Sequence, residues 1–424
     1  MLSAQENALL TQVGPGTPMN ALFRRFWLPV LEARELPHEP GCPPVRVKVL
    51  GEELVAFRDE AGRVGFLDKR CPHRHASLFW GRAEDGGLRC AYHGWLFDVS
   101  GACLDVPNAP EGGTFRDKVS ALAAYPGADH AGLIWVYMGP AHLHPELPAL
   151  ECEDVTEGQR FIRKMELPGN YLQIMEGDID SSHVSFLHAT RLPPNTATML
   201  AGAASPHMAA DRHPRWEVSE SPAGVQLAAR RNAGEDAFYW RVNQWLMPGY
   251  TIVASLVDEP IHMNMRVPID DEHTLYFRYW WHPARPFSTQ ERTEMETGGV
   301  LVPELIPGTF KTVENMGNDY LIDRSLQRSR VSATGIRSIS AQDFAMQEDQ
   351  GGLVMDRTRE RLVSSDAAII AVRKRLLDAV VSLSAGQEPQ EAADGARYQV
   401  RGLDAVLPRK VGLMEGAGHL LRTI

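Results

Sequence analysis

Apolar and polar residues alternate with period two through much of residues 44–139. PVRVKVLG, ELVAFRDE, RVGFLDKR and GLIWVYMG all follow this pattern, with Gly, Asp or Pro between them. Such alternation predicts half-buried strands. LFDVSGACLDVP predicts a hairpin turning at Ser100-Gly101. Ahead of this β region, residues 1–40 mix a short helical stretch with a Gly/Pro turn. Behind it, PAHLHPELPALE (140–151) is expected to be a connector.

A second region begins near residue 156 with a strand-like stretch and a helical segment at roughly 166–190. Strands are then expected in GVQLAARRN, AFYWRVNQWLMP, YTIVASLVD, HMNMRVPID and HTLYFRYWWHP. Helical patterns return near 288–325 and 357–385. A sheet flanked by long helices makes this region α+β. The sequence contains no internal repeat and no low-complexity tract.

With 424 residues, the chain is long enough for two or more domains. A net charge of −11 argues against nucleic acid or an anionic membrane as partner, since both reward a basic surface. MLSAQENALLTQVGPG has no basic leader, and no apolar run approaches the ~20 residues of a membrane span. The expected location is cytoplasmic, where cysteines serve as thiols or metal ligands. All five (Cys42, Cys71, Cys90, Cys103 and Cys152) fall in the first 152 residues, which places a metal module in the N-terminal third.

CPHRHASLFWGRAEDGGLRCAYHGW contains Cys71-x-His73, sixteen residues, then Cys90-x-x-His93. Each half supplies a thiolate and an imidazole from a tight loop. The pattern suits a Cys₂His₂ zinc site or a Rieske [2Fe–2S] centre, in which two histidines serve one iron. Cys71-Pro-His73 with Cys90-Ala-Tyr-His93-Gly94-Trp95 resembles the Rieske motif of bacterial ring-hydroxylating oxygenases. His75 is off the pattern, and Cys42, Cys103 and Cys152 lie outside it.

Residues 176–189 read EGDIDSSHVSFLHA. Asp180 and His183 are three apart and share a helical face. His183 and His188 are five apart, about 140° around an ideal helix, so one metal can hold both only across a helix break or π-bulge. With Asn170-Tyr-Leu-Gln173-x-x-Glu176-x-x-x-Asp180 before it, the segment resembles the mononuclear iron motif of the same oxygenases. That resemblance places Asn170 and Asp180 among the catalytic residues and implies a triad of two histidines and one carboxylate around Fe(II). The carboxylate is expected from SISAQDFAMQEDQGG, with Asp343 preferred and Glu348 and Asp349 as alternatives; a solvated acidic patch is the remaining reading. It also implies that Asp180 bridges His183 of one chain to His93 of the next, which requires a homo-oligomer, a trimer or hexamer.

VGPGTPMNALFRRFWLPV, GNYLQIMEG, NDYLIDRSLQR and SSDAAIIAVRKRLLDA are similar to the phthalate dioxygenase branch. The implied architecture is a leader over 1–40 packing on the catalytic domain, an all-β Rieske domain over 41–152, and a helix-grip catalytic domain over 153–424. The implied activity is hydroxylation of an aromatic carboxylate with O₂. O-demethylation or diaryl-ether cleavage at the same site is the alternative, and a Rieske electron carrier without oxygenase activity is the reading from another class. The sequence has no flavin or nicotinamide fingerprint, so a separate NAD(P)H-dependent reductase is expected to deliver the electrons. Strict alternation puts Tyr239, Arg241, Asn243 and Trp245 on one strand face. Arg241 could clamp a carboxylate, with Asn243 and Trp245 beside it; Arg230, Arg266 and Arg278 compete for the role.

Overall fold

In the computed structural model, residues 2–39, 41–110, 113–189 and 205–422 are described. The chain divides into two units. One is Val13–Leu147; the other runs from Pro148 onward and includes the segment up to Gln12.

Among its described residues, the Val13–Leu147 unit has ten strands. They are β1 (Trp27–Glu32), β2 (Val45–Val49), β3 (Glu52–Arg58), β4 (Val64–Asp68), β5 (Arg82–Glu84), β6 (Gly87–Arg89), β7 (Leu96–Phe97), β8 (Cys103–Asp105), β9 (Ala124–His130) and β10 (Leu133–Tyr137). Six form one sheet in the order β1-β10-β9-β4-β3-β2, and β5-β6-β7-β8 form a second. The expected hairpin is β7–β8, with Gly101 at φ 80° in its turn. The apolar sides of these strands converge on Val55, Phe57, Leu67, Leu78, Leu88, Trp95, Phe97 and Val106, and Cys71 and Cys90 are buried in the same core.

The expected leader is shared between the units. Ala4–Thr11 (α1) groups with the C-terminal unit, whereas Trp27–Glu32 pairs with β10. FWLPVLE has no alternation because both faces of β1 are buried, and that removes the period-two signal.

In the C-terminal unit, strands β11 (Arg160–Pro168), β12 (Arg215–Ser221), β13 (Gly224–Asn232), β14 (Ala237–Leu246), β15 (Tyr250–Val253), β16 (Ile261–Pro268) and β17 (His273–Trp281) form an antiparallel sheet in the order β11-β17-β16-β15-β14-β13-β12. β18 (Leu403–Pro408) pairs Ala237–Val242 of β14, and β15 pairs Gln244–Leu246. Counting helices of eight residues or more, α2 is Tyr171–Ile179, α3 Thr289–Thr297, α4 Ile339–Glu348 and α5 Ala367–Ser384. The long helices expected at 166–190, 288–325 and 357–385 are therefore shorter; residue 190 lies outside the described residues.

Met165 and Leu167 of β11, Ile174 of α2, Tyr276 of β17 and Ala341, Phe344 and Ala345 of α4 form one buried cluster. It holds α4 against α2. Gly177 permits the close approach: a Cβ there would sit 2.4 Å from Gln347 Nε2. No helix among the described residues is long and apolar enough to cross a membrane.

Candidate metal centres

In the N-terminal unit, two stapled turns carry the four candidate ligands. The amide of His75 donates to Cys71 O and the amide of Cys71 to Ala76 O; Gly94 donates to Cys90 O and Cys90 to Trp95 O. The second turn needs its glycine. Gly94 has φ 79°, and a Cβ would lie 2.8 Å from Pro107 Cγ. The rings of His73 and His93 are 4.4 Å apart, and His73 stacks on Trp95 at 4.7 Å. Cys71 and Cys90 are 2% exposed. Their thiols hydrogen-bond each other, which above all else pulls Cys90 down to about 6 and pushes Cys71 up.

His73 Nδ1 is buried without a hydrogen-bond partner. A buried imidazole nitrogen left without a partner is costly, and an iron beside it would satisfy it. The donor set therefore fits a [2Fe–2S] cluster. His75 sits at φ 58° in the first turn. Cys103 and Cys42 make weak contacts to backbone carbonyls, and Cys152 bonds Tyr279 in the other unit.

In the C-terminal unit, α2 ends at Ile179, and Asp180 turns the chain. Asp180 Oδ1 accepts from the amides of Ser182 (2.7 Å) and His183 (3.2 Å), and a single 3₁₀ turn follows over His183–Ser185. This is the helix break that the five-residue histidine spacing demanded. Arg231, fully buried, donates to Ser181 Oγ (2.9 Å) and Ser181 O (2.6 Å) and pins the same turn.

His183 Nε2 and His188 Nε2 come within 3.1 Å of each other. Asp343 Oδ1, from the middle of α4, lies 3.5 Å from the first and 3.1 Å from the second. These three residues form a group able to hold a metal ion. Burial disfavours charge on His188, but the carboxylate of Asp343 outweighs it and raises the imidazole. Asp343 is held low by the two histidines and Arg278 despite its burial. Three ligand atoms at mutual contact, with two nitrogens competing for one carboxylate oxygen, fit an iron better than they fit one another. Glu348 is engaged by Tyr320, and Asp349 is exposed beyond the end of α4, so neither joins the group.

Gln342 was not singled out from the sequence, although it adjoins Asp343. Its Nε2 donates to Ile336 O at 2.9 Å, so its oxygen faces His188 Nδ1, also at 2.9 Å. His183 Nδ1 is buried and without a hydrogen-bond partner, and Asp180 Oδ2 stands 3.8 Å away.

A cavity of about 110 Å³ opens on the triad. Asp178, Asp180, Arg241, His262, Asn264, Tyr276, Arg278 and Glu259 are among the groups that line it. Of Arg241, Asn243 and Trp245, Arg241 is on the lining, and of its competitors Arg278 is. Asn243 donates to Asp178 O (2.6 Å) and accepts from Ala254 N (2.9 Å), and Trp245, fully buried, points its Nε1 at Met175 Sδ (3.0 Å). Asn170 is also off the cavity. Its Oδ1 caps α2 at Leu172 N, and its Nδ2 donates to Thr11 O and Asp271 O. β14 is buried from Tyr239 to Leu246, so Asn243 and Trp245 pack against neighbouring protein while Arg241 reaches the cavity.

Residues 26–126 match the family model described as Rieske [2Fe-2S] domain, and residues 136–415 match the one described as LigXa C-terminal domain like. The chain is a Rieske non-haem iron oxygenase. It is 37% identical over 391 residues to the 3-chlorobenzoate-3,4-dioxygenase oxygenase subunit of Comamonas testosteroni, covering 90% of this chain and 89% of that protein. It is 35% identical over 400 residues to the phthalate 4,5-dioxygenase oxygenase subunit of Pseudomonas putida (91% and 88% covered). The 5,5'-dehydrodivanillate O-demethylase oxygenase subunit of Sphingobium sp. is 32% identical over 395 residues (92% and 83%). These place the Rieske oxygenase in the phthalate-type branch. Among solved structures, dicamba monooxygenase bound to dicamba shares the fold at TM-score 0.57 and 18% identity, over 86% of this chain and 99% of that one.

The enzyme is thus an oxidoreductase with a Rieske cluster and a mononuclear iron, O₂ as co-substrate, and electrons arriving from a reductase. When bound, a mononuclear iron would supply O₂ activation and the cluster would supply the electrons.

Proposed function

We propose that this oxygenase hydroxylates an aromatic carboxylate, with Cys71, His73, Cys90 and His93 holding the cluster and His183, His188 and Asp343 holding the iron. The observation that carries the reading is the convergence of His183, His188 and Asp343 on a cavity that also contains guanidinium groups. The two guanidinium groups on the lining, Arg241 and Arg278, give an anionic ring substrate charge-assisted partners beside a redox metal. In ring dihydroxylation both atoms of O₂ enter one ring double bond, with two electrons and two protons, giving a cis-dihydrodiol.

The residues divide the work. Gln342 keeps the His188 proton on Nδ1, so that Nε2 presents its lone pair. Asp180 shapes the turn through two backbone amides and keeps Oδ2 on the His183 side. That oxygen is suited to orient His183 and, across a subunit boundary, to meet His93 of a neighbouring chain. The enzyme is therefore proposed to be a trimer or hexamer, cytoplasmic, and served by a separate flavin- and ferredoxin-type reductase. The relationship to an O-demethylase subunit supports removal of a methoxy group as the second reading.

Purified enzyme should contain about three irons per chain, two for the cluster and one for the triad. With a compatible reductase it should convert benzoates or phthalates to dihydrodiols; release of formaldehyde from methoxybenzoates would select the second reading. Asp180→Asn should keep cluster absorbance and iron content yet lose turnover. Near-normal turnover in that variant would exclude the bridging role.

A further inference from the structure

The cavity on the triad has a neighbour. A second cavity of about 160 Å³ lies in the same unit, and Ser255, Leu256 and Glu259 line both. These three residues belong to the connection between β15 and β16. One loop therefore forms the wall between the two spaces.

The cavity on the triad is about 110 Å³. A cavity of about 150 Å³ takes benzene, so a ring that reaches the triad must displace part of the lining. The lining elements differ in how firmly they are held. β14, β16 and β17 are each paired on both sides, and α2 and α4 pack on one another through a buried cluster. Residues 255–259 belong to no strand. Among the described residues, two hydrogen bonds tie them to other segments. Asp404 N donates to Ser255 O at 2.9 Å, and His282 Nε2 donates to Asp258 O at 3.2 Å. His282 Nδ1 accepts from Ala284 N at 3.1 Å, which leaves the ring proton on Nε2. The tip carries exposed apolar side chains, Leu256 at 41% and Val257 at 59%. A segment with few ties and little buried apolar contact opens at the least cost, so this wall yields first.

The second cavity has the character of an apolar subsite. Leu256, Val257, Ile261, Leu403 and Leu420 line it. Arg401, also on its lining, is engaged by both oxygens of Glu151. Its volume leaves room for one ring. Charge separates the two ends. Arg241 and Arg278 stand on the triad side, Asp258 lines the second cavity, and Glu259 stands in the wall. A carboxylate crossing that wall would meet two acids and a guanidinium already matched, which is unfavourable. The part of a substrate that crosses it is therefore uncharged.

We propose that the second cavity is a subsite for the uncharged, apolar ring of a two-ring aromatic acid, joined to the triad cavity when residues 255–259 shift. This rests on the aromatic-acid reading above and deepens it, placing the remote ring of the substrate.

Steady-state turnover by the metal-loaded enzyme with a compatible reductase tests it, with benzoate and 3-phenoxybenzoate as probes. Wild type should turn over 3-phenoxybenzoate with the higher kcat/KM. Ala284 is exposed, lines the second cavity and not the first, and meets His282 through its backbone amide, so Ala284→Trp should fold and fill the subsite. That variant should raise KM for 3-phenoxybenzoate by about tenfold or more, as expected for losing the burial of an apolar ring, and leave kcat/KM for benzoate unchanged. Unchanged KM for 3-phenoxybenzoate in Ala284→Trp overturns the proposal, and so does an equal loss for both acids. A wild-type preference for benzoate overturns it as well, a result that needs no variant to fold. If no aromatic acid is turned over while both metals are present, the aromatic-acid reading falls and takes the proposal with it. Turnover of both acids with a ratio indifferent to Ala284→Trp removes only the subsite.

Discussion

The side-chain oxygen of Gln342 accepts a hydrogen bond from His188 Nδ1 at 2.9 Å, one residue before Asp343 on the same helix. One turn of α4 thus supplies both a candidate iron ligand and the group that sets the tautomer of another. Gln342→Leu removes the acceptor and frees His188 to rotate or shift its proton. Loss of such an outer partner typically weakens metal affinity about 10–100-fold. Iron titration of the apo-triad enzyme, with cluster absorbance as internal control, should show that loss with the cluster intact.

Gly94→Ala should damage the cluster site without touching a ligand. The left-handed conformation costs a residue with a Cβ about 1–2 kcal/mol, and the added methyl would stand 2.8 Å from Pro107 Cγ. The expected result is a lower cluster-to-protein absorbance ratio and earlier loss of cluster colour on heating. A ratio equal to wild type would show that the loop absorbs the strain.

Arg231 holds Ser181 through two hydrogen bonds and Asp211 O through a third. Burial lowers its pKa to about 10, and among the described residues no carboxylate forms an ion pair with it. Arg231→Met leaves Ser181 O without its donor inside the protein, at a cost of about 1–3 kcal/mol. The turn from Asp180 to His183 should loosen, so both the melting temperature and iron affinity should fall. A variant that melts earlier but binds iron normally would confine Arg231 to a structural role.

Acid should weaken the C-terminal unit through Glu176. Burial by itself raises this carboxyl, but Arg357 and Arg373 outweigh it and hold it below its ordinary value. The folded form then binds fewer protons than the unfolded form. Its stabilising contribution is present above the ordinary carboxylate range and is lost as pH falls through the depressed folded pKa. Urea midpoints at pH 7 and at about pH 4 should drop more for wild type than for Glu176→Gln. Equal drops would place the acid sensitivity elsewhere.

The candidate metal centres were legible in part because, Asp343 apart, their residues are local in the chain. Cys71-x-His73, Cys90-x-x-His93 and His183-x₄-His188 each sit in a turn a few residues long, so spacing constrains geometry directly. The strands were legible as short runs rich in apolar, β-branched and aromatic residues bounded by turn residues, even where, as in β10, β14 and β15, nearly every position is buried. β1 was not: all six of its residues are buried, and Pro29 interrupts the run. β18 was not, because its place beside β14 is set by a partner over 150 residues away.

The choice among acids and arginines belonged to the tertiary structure. Asp343, Glu348 and Asp349 are nearly equivalent in sequence; helix phase sends the first toward the histidines, gives the second to Tyr320, and leaves the third exposed. The sequence prefers Arg241 on its strand, with Arg278 in competition; packing pairs Arg241 with Asp404 and sets Arg278 against the Ser340 hydroxyl, with both on the cavity. A sequence by itself determines which groups a short turn can bring together and which face a strand buries. Whether a charge is matched, and whether a face meets solvent, substrate or more protein, depends on segments distant in the chain, and only packing brings those together.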